Sequence, residues 1–191
     1  MYKYFFKRII DIVFSVFAIV LLFIPFVIIS VIILATDPGP VFFKQRRFGK
    51  DKKMFYILKF RTMRVDTPDI PTDKLKNPGQ YITKIGKILR KTSLDELPQI
   101  FNIFVGQMSF IGPRPALWNQ EHLIKLRDKV HANDVRPGLS GWAQINGRDD
   151  ISEKKKAKLD GEYVSKLSFS LDCKCFFRTI FKAARGEGVK K

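Results

Sequence analysis

The stretch Ile12-Val-Phe-Ser-Val-Phe-Ala-Ile-Val-Leu-Leu-Phe-Ile-Pro25-Phe-Val-Ile-Ile-Ser-Val-Ile-Ile-Leu-Ala-Thr36 decides the fold. It places 25 residues without a charge between Asp11 and Asp37. As one helix it would be about 38 Å long, against about 30 Å for the hydrocarbon core of a bilayer. The run exceeds the roughly 7–15 apolar residues of a secretory signal, and no small-residue cleavage site follows it. It is therefore a membrane element. Pro25 stands near its centre, where a helix loses a hydrogen bond and meets a ring clash costing about 3 kcal/mol unless the chain bends. Both flanks are basic, with Lys3, Lys7 and Arg8 before it and Lys44, Arg46, Arg47, Lys50, Lys52 and Lys53 after it. A spanning helix concentrates Lys and Arg on the cytoplasmic side alone. Two forms stay open on the residues. One is a helix broken at Pro25 that enters and leaves by the same face, each limb about 13 residues or 20 Å long. The other is an ordinary Pro-kinked span.

Outward from this element, residues 37–191 read as one basic unit without internal repeats. The chain of 191 residues carries 35 Lys+Arg against 18 Asp+Glu, a net charge of +17, yet also 18 Phe, which excludes a disordered polybasic tail. Two cysteines exclude a disulfide scaffold. Cys173 and Cys175 sit too close in sequence for an easy bridge and are too few for structural zinc, so a reducing setting follows. Val41 to Gln45 and Met54 to Met63 form a predicted hairpin around Gly49-Lys50-Asp51. The two-residue period puts Phe55, Ile57, Lys59 and Arg61 on one face, the two cations roughly 6.6 Å apart. A Lys on a solvated strand edge is the plain alternative. Residues 65–80, with Pro68, Pro71, Pro78 and Gly79, form a long loop. From Tyr81 to Lys91, Ile82, Ile85, Ile88 and Leu89 recur at helical spacing opposite Lys84, Lys87 and Lys91. The chain closes on a second basic amphipathic helix. Its apolar stripe is Cys173, Phe176, Phe177, Ile180, Phe181 and Ala184, with Lys174, Arg178 and Lys182 beside it. Such a helix suits either an anionic membrane surface or a protein core.

In so basic a protein the adjacent carboxylates Asp95 and Glu96 stand out. Pro98 is tolerated only in a first helical turn, so the pair falls at a helix N-terminus, which favours anions. Ser93-x-x-Glu96 also fits a capping box, and capping explains the local pattern without any chemistry. The surroundings favour chemistry. Gly112-Pro-Arg-Pro115 holds Arg114 between stiff residues. Arg136-Pro-Gly-Leu-Ser-Gly-Trp-Ala-Gln-Ile-Asn-Gly-Arg148 has glycines for close backbone approach and an arginine at each end, the side chain suited to bidentate phosphate recognition. A carboxylate nucleophile, guanidinium clamps and a membrane anchor together point to phosphoryl transfer at a bilayer surface. His122 and His131 receive no role.

The apolar start with its central Pro, Lys59-Phe-Arg-Thr-Met63, Thr92-Ser-Leu-Asp-Glu-Leu-Pro98, Met108-Ser-Phe-Ile-Gly-Pro-Arg-Pro115 and the segment Arg136 to Arg148 resemble the bacterial sugar transferase family, the monotopic phosphoglycosyl transferases. The resemblance covers essentially the whole chain, in the family's motif order. It is closest to capsule-type members, through Tyr81-Ile-Thr-Lys, Arg114-Pro-Ala-Leu-Trp-Asn-Gln120 and Gly147-Arg-Asp-Asp-Ile151, and the chain reads as the family's minimal catalytic unit. The resemblance implies an α+β fold. Residues 1–36 would be a re-entrant membrane helix hairpin. Residues 37–191 would be a basic cytosolic catalytic domain with amphipathic interfacial helices and a small β-hairpin. Ile24 departs from the Ser that often precedes this Pro in the family.

The implied reaction takes a UDP-sugar, such as a UDP-N-acetylhexosamine or a 6-deoxy derivative, and undecaprenyl phosphate. It releases UMP at the cytosolic face of the bacterial cytoplasmic membrane. Asp95 would be the nucleophile, forming an aspartyl phosphosugar, and Glu96 would hold Mg²⁺ with it or position the phosphate. Arg114 is the first phosphate clamp, with Lys59, Arg61, Arg90, Arg136 and Arg148 behind it. Asp160 matches a family acidic position of open role. The charge also fits anionic phospholipid. A nucleic-acid binder rests on charge alone, without zinc-finger spacing, an RNP-like motif or a helix-turn-helix, so no nucleic-acid partner is expected. A non-catalytic lipid adaptor would have no use for the Asp95-Glu96 pair beyond capping.

Overall fold

The computed structural model describes residues 2–68, 75, 77–147 and 151–184. The apolar stretch forms two helices, α1 (Lys7–Leu21) and α2 (Phe23–Thr36), bent by 60° at Leu22. No single helix among the described residues is long and apolar enough to cross a membrane, whereas this bent pair is when taken together. The break lies three residues before Pro25, not at it, and the reason is steric. A proline ring clashes with the carbonyl four residues earlier, here that of Leu21, the last residue of α1. Pro25 itself then sits in the first turn of α2, where its missing N–H goes unnoticed. Ser15 and Ser30 return their hydroxyls to the carbonyls of Ile12 and Phe26 within the helices.

The pair is fastened at both ends to one folded body. At its start, Lys7 reaches Asp172 at 2.5 Å, and Arg8 donates to the carbonyls of Ile103 and Phe104 at 2.7 Å each. Asp11, buried, accepts from the Ser109 hydroxyl at 3.0 Å and the Phe110 N–H at 3.1 Å. At its end, Asp37 pairs with Arg61 at 3.5 Å. Ile29 and Ile33 pack with Phe60 and Leu89, so one face of α2 is core. The outward faces are apolar and open, with Val20 72% and Ile24 69% exposed.

The body is a mixed α/β arrangement. β1 (Phe42–Phe48) and β2 (Met54–Phe60) form an antiparallel hairpin, from Phe42 opposite Phe60 to Phe48 opposite Met54. Its turn uses Asp51 and Lys52 in left-handed conformation, φ 53° and 60°. Inward side chains of β2, Phe55 and Ile57, pack with Ile103 and Met108. Next come α3 (Lys84–Thr92), α4 (Gln99–Phe104), β3 (Ser109–Ile111), α5 (Glu121–Asp128), β4 (Gly138–Ser140), α6 (Trp142–Asn146), α7 (Glu153–Ser165) and α8 (Phe169–Ala184). α3 starts later than the periodicity predicts, because the Thr83 side chain caps it by accepting from the Gly86 N–H, and Ile82 pairs with Met63 instead.

Strands β3 and β4 are parallel, Ser109 opposite Gly138 and Ile111 opposite Ser140. The glycines of the two Gly-Pro motifs let these segments meet. A Cβ on Gly138 would stand 2.1 Å from the Gly112 nitrogen, and one on Gly141 2.0 Å from the Gly112 oxygen. In α8 the Phe-rich stripe turns away from the core. Asp172 and Cys175 face inward, while Phe176, Phe177, Ile180 and Phe181 are exposed.

Candidate active site

The carboxylate pair lies on a 3-10 turn, Leu94–Glu96, that leads through Leu97 and Pro98 into α4. Ser93 before it is left-handed, φ 59°, and caps nothing with its side chain. The capping-box expectation therefore fails: in that conformation the Ser93 hydroxyl does not reach the next turn's N–H groups, and Glu96 turns elsewhere. Its Oε1 accepts from Lys59 Nζ at 2.7 Å and Arg114 Nη2 at 3.2 Å. Lys59 Nζ also stands 3.9 Å from Asp95 Oδ2. Lys59 is thus no solvated edge residue; β2 carries it to the centre of the site.

The two carboxylates differ. Burial alone would raise the Glu96 carboxyl, but Arg114 and Lys59 outweigh it and hold Glu96 down at about 2. At Asp95 burial prevails over the pull of Lys59, and the charge of Glu96 adds to it, so its carboxyl lies above the ordinary aspartate value. Glu96 is the pinned anion, and Asp95 the more basic and less encumbered carboxylate.

The other residues singled out from the sequence spread around this centre. Arg90 lies beside Asp95 and donates its Nε–H to the Thr62 hydroxyl at 2.9 Å. Arg61 is buried against Asp37 and donates to its carbonyl, at the end of the bent helix pair. Arg136 donates to the Gly106 carbonyl at 2.9 Å and is not brought to the dyad by any of its described bonds. Asp160 is 1% exposed and locked to Arg127, with Nε at 2.8 Å and Nη2 at 2.6 Å from its Oδ2. Its contact with the rest of the site runs through Arg127, which also bonds the Arg114 backbone. Arg148 lies outside the described residues.

Sequence reasoning missed Arg127, whose Nη1 donates to the Arg114 carbonyl at 3.0 Å and so supports the clamp from behind. Nothing local marked it. It also missed Asp172, which gathers Lys7, Tyr2 and Tyr163 from distant parts of the chain. Glu96, Gln99 and Asn102, polar every third residue in an otherwise apolar run, were a readable signal.

Chemically, two carboxylates flanked by Lys59, Arg90 and Arg114 combine cations suited to binding a phosphate ester with a carboxylate oxygen of the kind that serves as a nucleophile. Among the described residues no group of three His, Cys, Asp or Glu could hold a metal. Asp95 and Glu96 are adjacent hard oxygen donors. That donor set fits Mg²⁺, which typically takes one or two carboxylates and fills its shell with water and substrate phosphate.

A family described as "Bacterial sugar transferase" matches residues 2–186. The UDP-glucose:undecaprenyl-phosphate glucose-1-phosphate transferase of Escherichia coli (strain K12) is 38% identical over 183 residues, covering 92% of this chain and 39% of that protein. The sugar transferase EpsL of Bacillus subtilis (strain 168) is 43% identical over 153 residues, covering 80% of this chain and 74% of that one. A UDP-N-acetylgalactosamine-undecaprenyl-phosphate N-acetylgalactosaminephosphotransferase of Aeromonas hydrophila is 36% identical over 195 residues, 97% of this chain and 45% of that protein. The chain therefore spans less than half the length of the first and third of these relatives.

Proposed function

This chain belongs to the bacterial sugar transferase family, and we propose that it moves a sugar-1-phosphate from a UDP-sugar to undecaprenyl phosphate through a covalent intermediate on Asp95. One observation carries the reading: a carboxylate dyad set among three cations, with Glu96 pinned and Asp95 left basic. Asp95 attacks the sugar-bearing phosphorus, the bond to the bridging oxygen breaks, and UMP departs with that electron pair. A phosphate oxygen of the lipid then attacks the aspartyl phosphosugar and releases the Asp95 carboxylate. Lys59, Arg90 and Arg114 neutralise the charge on the phosphoryl oxygens at each displacement. Bound Mg²⁺, held by Asp95 and Glu96, would add Lewis-acid polarisation of the phosphates. In this reading the donor is a UDP-N-acetylhexosamine or its 6-deoxy derivative, and the step opens capsule or related polysaccharide assembly.

The setting is the cytosolic face of the bacterial cytoplasmic membrane. Both ends of the bent helix pair are tied to one body, which supports a re-entrant anchor over a span with ends on opposite sides. The outward Phe stripe of α8 supports contact with anionic lipid. Phe177→Asp with Phe181→Asp is expected to strip the enzyme from native membranes at milder carbonate washes. The thermal midpoint in detergent should stay unchanged, because both side chains are exposed within the fold.

The reaction is tested by intact-protein mass spectrometry after incubation with Mg²⁺ and a panel of UDP-sugars, without lipid acceptor. A mass increase of one sugar phosphate with one donor is expected, discharged when undecaprenyl phosphate is added. No adduct with any donor, and no UMP even with acceptor present, would overturn the proposal.

A further inference from the structure

Gln99 is a buried polar side chain that the chemistry above does not use. It is 2% exposed, and its Nε2 has no hydrogen-bond partner. An amide buried in that way costs about 1–3 kcal/mol, which an apolar residue of equal length avoids. Its position is informative. The 3-10 turn Leu94–Glu96 runs through Leu97 and Pro98 into α4, so positions three apart stay on neighbouring parts of one surface. Glu96, Gln99 and Asn102, each three residues apart, therefore fall on one side of the segment. The outer two are fixed on β2, Glu96 by Lys59, and Asn102 by the Leu58 N–H at 2.9 Å and the Tyr56 carbonyl at 2.8 Å. Gln99 lies between them, one turn below the dyad.

Glu96 depends on Lys59 and Arg114, the same two cations that a diphosphate would draw to itself. Glu96 is largely shielded from solvent, its side chain 19% exposed, and a carboxylate so placed is disfavoured when it loses both partners. We propose that Gln99 is a positioning residue: its Nε2–H becomes the hydrogen-bond donor to Glu96 when the phosphates of the donor engage Lys59 and Arg114. Glu96 then keeps its place beside Asp95 through both displacements. The inference rests on the phosphoglycosyl transfer proposed above.

The test is steady-state kinetics and thermal unfolding of the full-length protein in detergent, with Gln99→Met and Gln99→Glu beside the wild type. Gln99→Met keeps the length and removes the donor. It is expected to unfold at the same or a higher temperature and to keep the KM for UDP-sugar within about twofold. Its kcat should fall roughly tenfold, because the donor still binds but Glu96 no longer keeps its place beside Asp95 during the displacements. Gln99→Glu, which sets a second carboxylate against Glu96, should lose more. Wild-type kcat in Gln99→Met overturns the inference, and so does a kcat loss that comes with a lower midpoint, since that marks a structural amide. A wild type that releases no UMP from any donor overturns the reaction itself, and this inference with it.

Discussion

Asp95→Asn is expected to lower kcat/KM by roughly three orders of magnitude or more and to abolish the phosphosugar adduct, while the protein unfolds at the same or a higher temperature. The two halves have one cause. The Asp95 carboxyl is raised by burial and by Glu96. A group raised in the folded state favours folding only while it is protonated, and that contribution is lost as pH rises through its folded value. Once ionised, Asp95 therefore weighs against the fold, and a neutral amide removes that burden together with the proposed nucleophile. Glu96→Gln should behave in the opposite way. Glu96 is depressed from 4.5 to about 2, so its stabilisation is present above pH ~4.5 and is lost as pH falls toward ~2. Removing that charge at neutral pH should cost on the order of 2–3 kcal/mol and leave Lys59 and Arg114 without their carboxylate. Paired melts and adduct measurements check this. An adduct that survives in Asp95→Asn but disappears in Glu96→Gln would exchange the two roles.

What was legible in the sequence was whatever local chemistry dictates. The apolar run between Asp11 and Asp37, the hairpin turn at Gly49 and the close backbone approach at Gly112 and Gly138 follow from residue type and short spacing, and the structure places them accordingly. Of the cations picked out around the dyad, Lys59 and Arg114 meet it, whereas Arg61 pairs with Asp37 and Arg136 with the Gly106 carbonyl. The position of the helix break is legible as well, since the Pro25 ring clashes with the Leu21 carbonyl one turn back. The capping-box reading went wrong because a single residue, Ser93, takes a left-handed conformation that pattern alone does not announce. Whether the stripe of α8 packs inward or stays exposed was undecidable from the stripe itself, since an apolar face serves a core equally well. Only the inward turn of Asp172, which meets Lys7, Tyr2 and Tyr163, fixes which side packs. Those partners stand as many as 170 positions apart, and no short-range signal connects them. Arg127 is invisible for the same reason: in α5 it reads as one more surface cation, and its burial depends on α7 lying alongside.

The same long-range contact yields the second large effect, on stability. Asp160→Leu is expected to destabilise the protein by about 3–5 kcal/mol, because it strands a buried guanidinium. Arg127 and Asp160 are both buried and meet at 2.6 and 2.8 Å, yet burial still pushes the Asp160 carboxyl up against the pull of Arg127. The attraction does not fully offset the loss of hydration at this aspartate. Replacing both partners, Arg127→Met with Asp160→Leu, should therefore recover most of the stability lost in the single variant. Activity should not recover with it. Arg127 also donates Nη1–H to the Arg114 carbonyl, and methionine cannot. Arg114 would keep its side chain but lose the support that aims it at Glu96, so kcat/KM should stay low in a protein that melts normally. Denaturant unfolding and UMP release, measured on the single and double variants, separate the two contributions. A double variant that regains activity along with stability would show that the buried pair serves the fold alone.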